Sequence, residues 1–201
     1  MSTAGDQAPL FLKALPMRRT FILTSLALLA GCVHGGIPAD DTDGPGMIVT
    51  FSSLIDGAVI LTDRATLPNG KDFGNPGGIT GRRSSNWRGG ATSGGSGDGR
   101  GLPQWVEFEW VESPKGKDHS FEELKAMPRK TQRVQVRERV PLEAVQEAIE
   151  SRRNAPRGKM PSKMLRLYFV WTDQGVKFHW ALKDWDILQP LREGGDDIDA
   201  M

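Results

Sequence analysis

The chain has 201 residues, 26 lysines and arginines against 25 aspartates and glutamates, a net charge of +1 and one cysteine. A balance this close to neutral gives no basis for nucleic-acid binding or for general attraction to an anionic surface, and a single cysteine excludes an intramolecular disulfide. Stability must come from a packed core, for which six tryptophans and eight phenylalanines are suited.

Residues 1–16 carry Asp6 and an apolar patch of their own, whereas Met17 followed by Arg18-Arg19-Thr20 makes a compact basic start, so translation is expected to begin at Met17. The two arginines precede an apolar run, Phe21 to Ala30. That order is the signature of a secretory signal, and the run is too short to span a bilayer, which takes roughly 20 apolar residues. Arg18-Arg19-Thr20-Phe21 is also similar to a twin-arginine export signal. The run closes in Leu29-Ala30-Gly31-Cys32, which resembles the lipobox of bacterial lipoproteins. The resemblance implies a signal peptide over 1–31, cleavage between Gly31 and Cys32, a diacylglyceryl group on the Cys32 sulfur and acylation of the new amino terminus. Three acyl chains make an effectively permanent anchor, since each buried methylene contributes about 0.8 kcal/mol. Val33 stands second in the mature chain, where inner-membrane lipoproteins of enteric bacteria resemble one another in carrying Asp, so the outer membrane, facing the periplasm, is the expected location. Loss of 1–31 takes Lys13, Arg18, Arg19 and Asp6 with it, and the 26 basic and 25 acidic residues become 23 and 24.

Residues 32–45 are rich in Gly, Pro and Asp and read as a solvated, lipidated tether. A single domain is expected over 46–192. Its first strands are Met47 to Phe51 and Ala58 to Thr62. Between Asp63 and Pro103 the periodicity dissolves in a long Gly-rich loop segment, which is a functional loop, a disordered excursion or a set of strands too short to read, and the glycines at 94–101 lack the strand before and the helix after that a phosphate cradle needs. From Gln104 to Glu112 apolar and charged residues alternate, placing Val106, Phe108 and Trp110 on a core face and Trp105, Glu107, Glu109 and Val111 on the other. Ser120 with Glu123 forms a capping box for a short helix, Phe121 to Met127. A strand over Gln132 to Val140 buries Val134 and Val136 and turns Arg133, Gln135, Arg137 and Arg139 outward. Pro141 opens a helix in which Leu142, Val145 and Ile149 recur at helical spacing to about Arg153. The loop 152–162 leads to the clearest hairpin, Met164 to Thr172 and Val176 to Leu182 about Asp173-Gln174-Gly175. Its apolar content on both faces marks central strands. Trp185, Ile187 and Leu188 are expected to dock on the body, and 193–201 to be a flexible acidic tail. The fold class is α+β, a mainly antiparallel sheet with two short helices.

Little in this pattern points to catalysis. His34, His119 and His179 have no ligand spacing, so neither metal nor cofactor is expected. No serine sits in a nucleophile elbow, and Glu107, Glu109 and Glu112 have the spacing of a solvated strand face. A binding role suits the chain better. Trp105 beside Glu107 and Glu109 makes either an aromatic anchor with a charged rim or a ring packed beneath a helix. Trp87 with Arg88 makes either a protruding contact or a tryptophan folded back on its own domain. The arginines at 133, 137 and 139 are either a contact stripe or a solvated face.

With the lipobox, the Pro-Gln-Trp-Val-Glu-Phe-Glu-Trp strand entered through Leu102-Pro103, and Arg-Val-Gln-Val-Arg-Glu-Arg-Val-Pro, the layout over about 102–182 resembles the lipoprotein immunity proteins encoded beside type VI secretion phospholipase effectors. The resemblance implies a non-enzymatic, periplasm-facing protein that binds a secreted phospholipase and blocks its cleft. A phosphate-binding cleft is cationic, so Glu107, Glu109 or Asp98 are the candidates to enter it. The alternative is an envelope lipoprotein acting as scaffold or ligand-binding module with no toxin partner.

Overall fold

Strands whose alternate residues are aromatic need a second apolar surface to cover them, and two sheets of this chain supply one another's cover. A computed structural model describes residues 44–81, 86–93, 100–115, 117, 119–184 and 189–199, all within one compact unit. The expected signal segment, Gly31, Cys32, the expected tether up to 43, Asp98, and Trp185, Ile187 and Leu188 lie outside the described residues. The strands are β1 Met47–Ser53, β2 Val59–Thr66, β3 Gly78–Thr80, β4 Ala91–Ser93, β5 Trp105–Glu112, β6 Lys130–Gln135, β7 Lys163–Thr172, β8 Gly175–Asp184 and β9 Pro190–Gly195. Two helices accompany them, α1 Phe121–Ala126 and α2 Leu142–Asn154. One sheet has the order β4-β1-β7-β8-β9 and the other β3-β2-β5-β6. Among the described residues only β1 and β7 pair in parallel, Met47 opposite Leu165 through Ser53 opposite Trp171. The α+β, mainly antiparallel class expected from the sequence is the class observed.

The inner faces meet through aromatic rings. Phe108 of β5 lies 4.9 Å from Phe169 and 5.2 Å from Trp171, both on β7 and edge-on, and Phe51 of β1 stacks on Phe169 at 5.9 Å. Such pairs add about 0.5–1.5 kcal/mol each beyond the area they bury. Helix α2 closes one side of this core with Ala144, Val145 and Ala148, small residues that let the helix backbone approach. Helix α1 starts with the reciprocal Ser120 and Glu123 capping box read from the sequence.

Two expectations are corrected and one open reading is decided. Of the readings for 63–103, its described residues follow the set of short strands: β2 continues to Thr66, β3 and β4 extend the edges of the two sheets, and Phe73 and Ile79 are core residues. Strands of three residues carry too little alternation to read. The strand Gln132 to Val140 ends at Gln135, because Val136 takes φ −122° and ψ −61° and Arg137–Arg139 form a 3₁₀ turn. The arginine stripe is thereby broken: Arg137 turns back to donate to the Leu102 carbonyl through Nε (3.0 Å) and Nη2 (2.6 Å). The tail from Glu193 is not flexible along its described length, since β9 pairs with β8 through Gly195 and Ile198 is buried.

Beyond the hairpin turn the two sheets are joined by a side chain acting as backbone. Gln132 on β6 accepts from the Val176 amide (2.8 Å) and donates to the Val176 carbonyl (2.9 Å) on β8. Gly175 makes room for it: φ there is +102°, and a Cβ would stand 2.4 Å from Gln132 Oε1. Gly175→Ala is expected to cost about 2 kcal/mol from backbone strain and displacement of the glutamine. Chemical denaturation of Gly175→Ala, Gln132→Ala and the double variant checks this; the two changes should couple by at least ~0.5 kcal/mol, and strict additivity would contradict the shared contact.

Candidate functional site

The outer face of β2-β5-β6 is built by the residues that alternate with the core set. Trp105, Glu107 and Glu109 point outward from β5, opposite Gln135, Arg133 and Thr131 of β6. The Arg133 guanidinium stacks over the Trp105 ring at 4.0 Å and reaches Glu107 with Nη2 at 3.0 Å. Arg129 bridges Glu109 at 3.1 Å and Asp63 at 2.8 Å, and Lys130 pairs with Glu112 at 2.7 Å. Trp105 therefore lies beneath an arginine and beside charged side chains, and the ring packed under a helix is not the arrangement found. Glu107 and Glu109 keep their outward position, each with an arginine already beside it. These exposed pairs contribute little stability, typically ~0–1 kcal/mol each, and their partners can be exchanged at modest cost.

The outer face of the other sheet is covered instead. Tyr168 and Val170 on β7 and Ala181 on β8 are buried there beneath Trp87 and Ile198. Trp87 heads a short 3₁₀ turn capped by Asn86, meets Tyr168 edge-on at 5.2 Å and His179 at 5.0 Å, and donates from Nε1 to Asp199 at 2.7 Å. Its carbonyl accepts from the Ser52 hydroxyl at 2.8 Å. Trp87 is thus 5% exposed and no protruding contact, which corrects that alternative. Arg88 lies over the Trp87 ring at 4.2 Å and pairs with Glu193 at 2.5 Å. His179 faces Asp196 O through Nδ1 at 3.3 Å and Glu193 Oε2 through Nε2 at 3.2 Å.

Sequence reasoning missed Tyr168, Glu193 and Asp196. The signal was available, since a strand apolar on both faces demands a cover on both, and the terminal segment was one of the few left to supply it. Asp196 accepts from the Phe178 amide at 2.7 Å and from Arg139 Nη2 at 2.7 Å. Gly195 makes this approach feasible, with φ +123° and its Cβ position 2.4 Å from the Phe178 carbonyl oxygen.

Burial pushes the Tyr168 hydroxyl above its ordinary value and Lys183 below its own, the latter helped by the positive charge of Arg166 and Arg88. At Glu193 burial acts to raise the carboxyl, but hydrogen bonds from Arg88 and His179 outweigh it and hold it below the usual value. Asp196 behaves likewise, with the Phe178 amide and Arg139 prevailing over burial. Among the described residues no three His, Cys, Asp or Glu side chains converge as metal ligands. The chain matches no protein-family model, and no curated protein and no solved structure is significantly similar to it.

Both depressed carboxyls stabilise the docked terminal segment fully above the ordinary carboxylate range, and that contribution is lost as pH falls below about 4. The unfolding temperature should fall in this window together with a change in Trp87 emission. Asp196→Asn should lower the midpoint at pH 7 by roughly 2–4 °C and flatten the acid limb. A midpoint of the native chain that stays level from pH 7 to 3 would contradict the docking chemistry.

Proposed function

We propose that this chain is a lipid-anchored, periplasm-facing immunity protein that binds and neutralises a secreted phospholipase effector through the outer face of β2-β5-β6. The observation that carries the reading is the Trp105 and Arg133 stack, set on a rigid strand pair and flanked by the Glu107 and Glu109 ion pairs. A flat aromatic centre with a charged surround is the make-up of a protein interface. The leader ending at Cys32 supports placing that face at the envelope, where an incoming phospholipase acts.

The paired state of the carboxylates refines how such a face engages a cationic cleft. Docking exchanges Arg133 and Arg129 for the partner's cations, so the charge term nearly cancels and fixes orientation, while burial of Trp105 supplies most of the affinity. Asp98, outside the described residues, joins the acidic set on the sequence alone.

The first test is the neighbouring gene, where a phospholipase supports immunity and envelope-assembly genes favour the scaffold role; the second is inhibition of, and calorimetric binding to, a phospholipase found there. Trp105→Ala is expected to weaken binding about 30-fold, a loss of about 2 kcal/mol, with an unchanged unfolding temperature. Trp87→Ala should lower the unfolding temperature while the variant, once folded, inhibits normally. Charge reversal at Glu107, Glu109 and Asp98 together should abolish inhibition, and unaltered inhibition rejects the acidic element. Cys32→Ser should remain unacylated by mass spectrometry. An acylated chain that does not bind the phospholipase would overturn immunity in favour of a scaffold role.

A further inference from the structure

The segment Arg152 to Lys163 contains Arg152, Arg153, Arg157, Lys159 and Lys163 and no acidic residue, in a chain otherwise close to neutral. It comprises the last turn of α2, the loop after it and the first residue of β7. The Pro156 carbonyl accepts from the Lys159 amide at 2.9 Å, and Gly158 takes the φ of +77° that a type II turn needs at its third residue. This tight turn presents Arg157 and Lys159, both exposed, with Met160 46% exposed beside them. A hollow of about 420 Å³ separates the loop from α2, lined by Met160, Asn154, Ser151 and Glu147. Glu147 is bound by Lys163 and Arg192, which leaves Glu150 as the other carboxylate lining that hollow.

The position of this loop matters because the chain enters the fold beside it. Arg152 Nε donates to the Gly44 carbonyl at 2.9 Å, and β1 begins at Met47 opposite Leu165, two residues after Lys163. Twelve residues, Cys32 through Asp43, connect this point to the acylated cysteine. Even fully extended they reach only about 40 Å, and a flexible chain of that length has a typical end-to-end distance of about 20 Å. The basic end of the body is thus held near the lipid surface at high effective concentration.

We propose that the loop 155–162 is a membrane-docking surface: Arg157 and Lys159 engage anionic phospholipid headgroups and Met160 enters the interface, standing the body upright on its own bilayer. This rests on acylation at Cys32. No helix among the described residues is long and apolar enough to cross a membrane. The β7–β8 hairpin, ten residues along β7, then faces away at about 30 Å.

Purified acylated protein carrying Met160→Cys or, separately, Gln174→Cys is labelled with an environment-sensitive fluorophore and reconstituted in phosphatidylcholine vesicles with or without ~30% phosphatidylglycerol. The label at 160 should shift to the blue and brighten at least about twofold in the anionic vesicles, and revert in ~0.5 M salt. The label at 174 should be indifferent. Adding Arg157→Glu and Lys159→Glu should erase the response at 160. Acylated protein that floats with vesicles yet shows no anionic response at 160, or responds at 174 instead, overturns the docking surface alone. Protein found by mass spectrometry without acyl groups on Cys32 overturns the anchor and the docking surface together.

Discussion

The contact on which the rest depends is the meeting of Phe108 with Phe169 and Trp171 between the sheets. Neither sheet is closed, and each would expose a row of rings without the other. Once these rings interlock, the faces of β5 and β7 are assigned: the residues alternating with Phe108 must look outward, and those alternating with Phe169 must lie on the far side of their own sheet. The paired carboxylates of one face and the buried Tyr168 of the other are both consequences of that single registration.

The two outer faces meet this constraint differently. On the four-stranded sheet Glu107 and Glu109 alternate with the core residues, and cross-strand arginines complete a surface at ease in water. On the five-stranded sheet Tyr168 and Val170 are too apolar to be left wet. A short turn bearing Trp87 and the terminal segment bearing Ile198 are drawn over them and fastened by Arg88, Arg139 and two depressed carboxyls. Among the described residues, Trp105, Glu107 and Glu109 of the first face therefore keep contact with water, and the second face is occupied by its own chain.

The sequence made legible what repeats. The alternation from Val106 to Trp110 placed β5, a hairpin apolar on both faces placed β7 and β8, and a capping box with helical spacing placed α1 and α2. It was silent where the determinant is a single long-range contact. Arg137 and Arg139 continue the alternation of β6 in letters, yet Leu102 and Asp196, 35 and 57 residues away, turn them out of the strand. The strands β3 and β4 are too short to show a period, and they form because neighbours with unsatisfied edges await them. Trp105, Glu107 and Glu109 were found as outward residues, but their arginine partners follow from strand register, which letters alone do not fix.

The entry of the chain into β1 has a mechanical consequence. Because β1 lies between β4 and β7 and pairs with β7 in parallel over seven residues, a pull on Gly44 along the strand loads those rungs side by side and not one after another. Bonds sheared together resist far more force than bonds peeled in turn. The Arg152 clasp on the Gly44 carbonyl passes part of that load to α2 before it reaches the sheet. A body pulled through this entry point can bear the load and keep its shape.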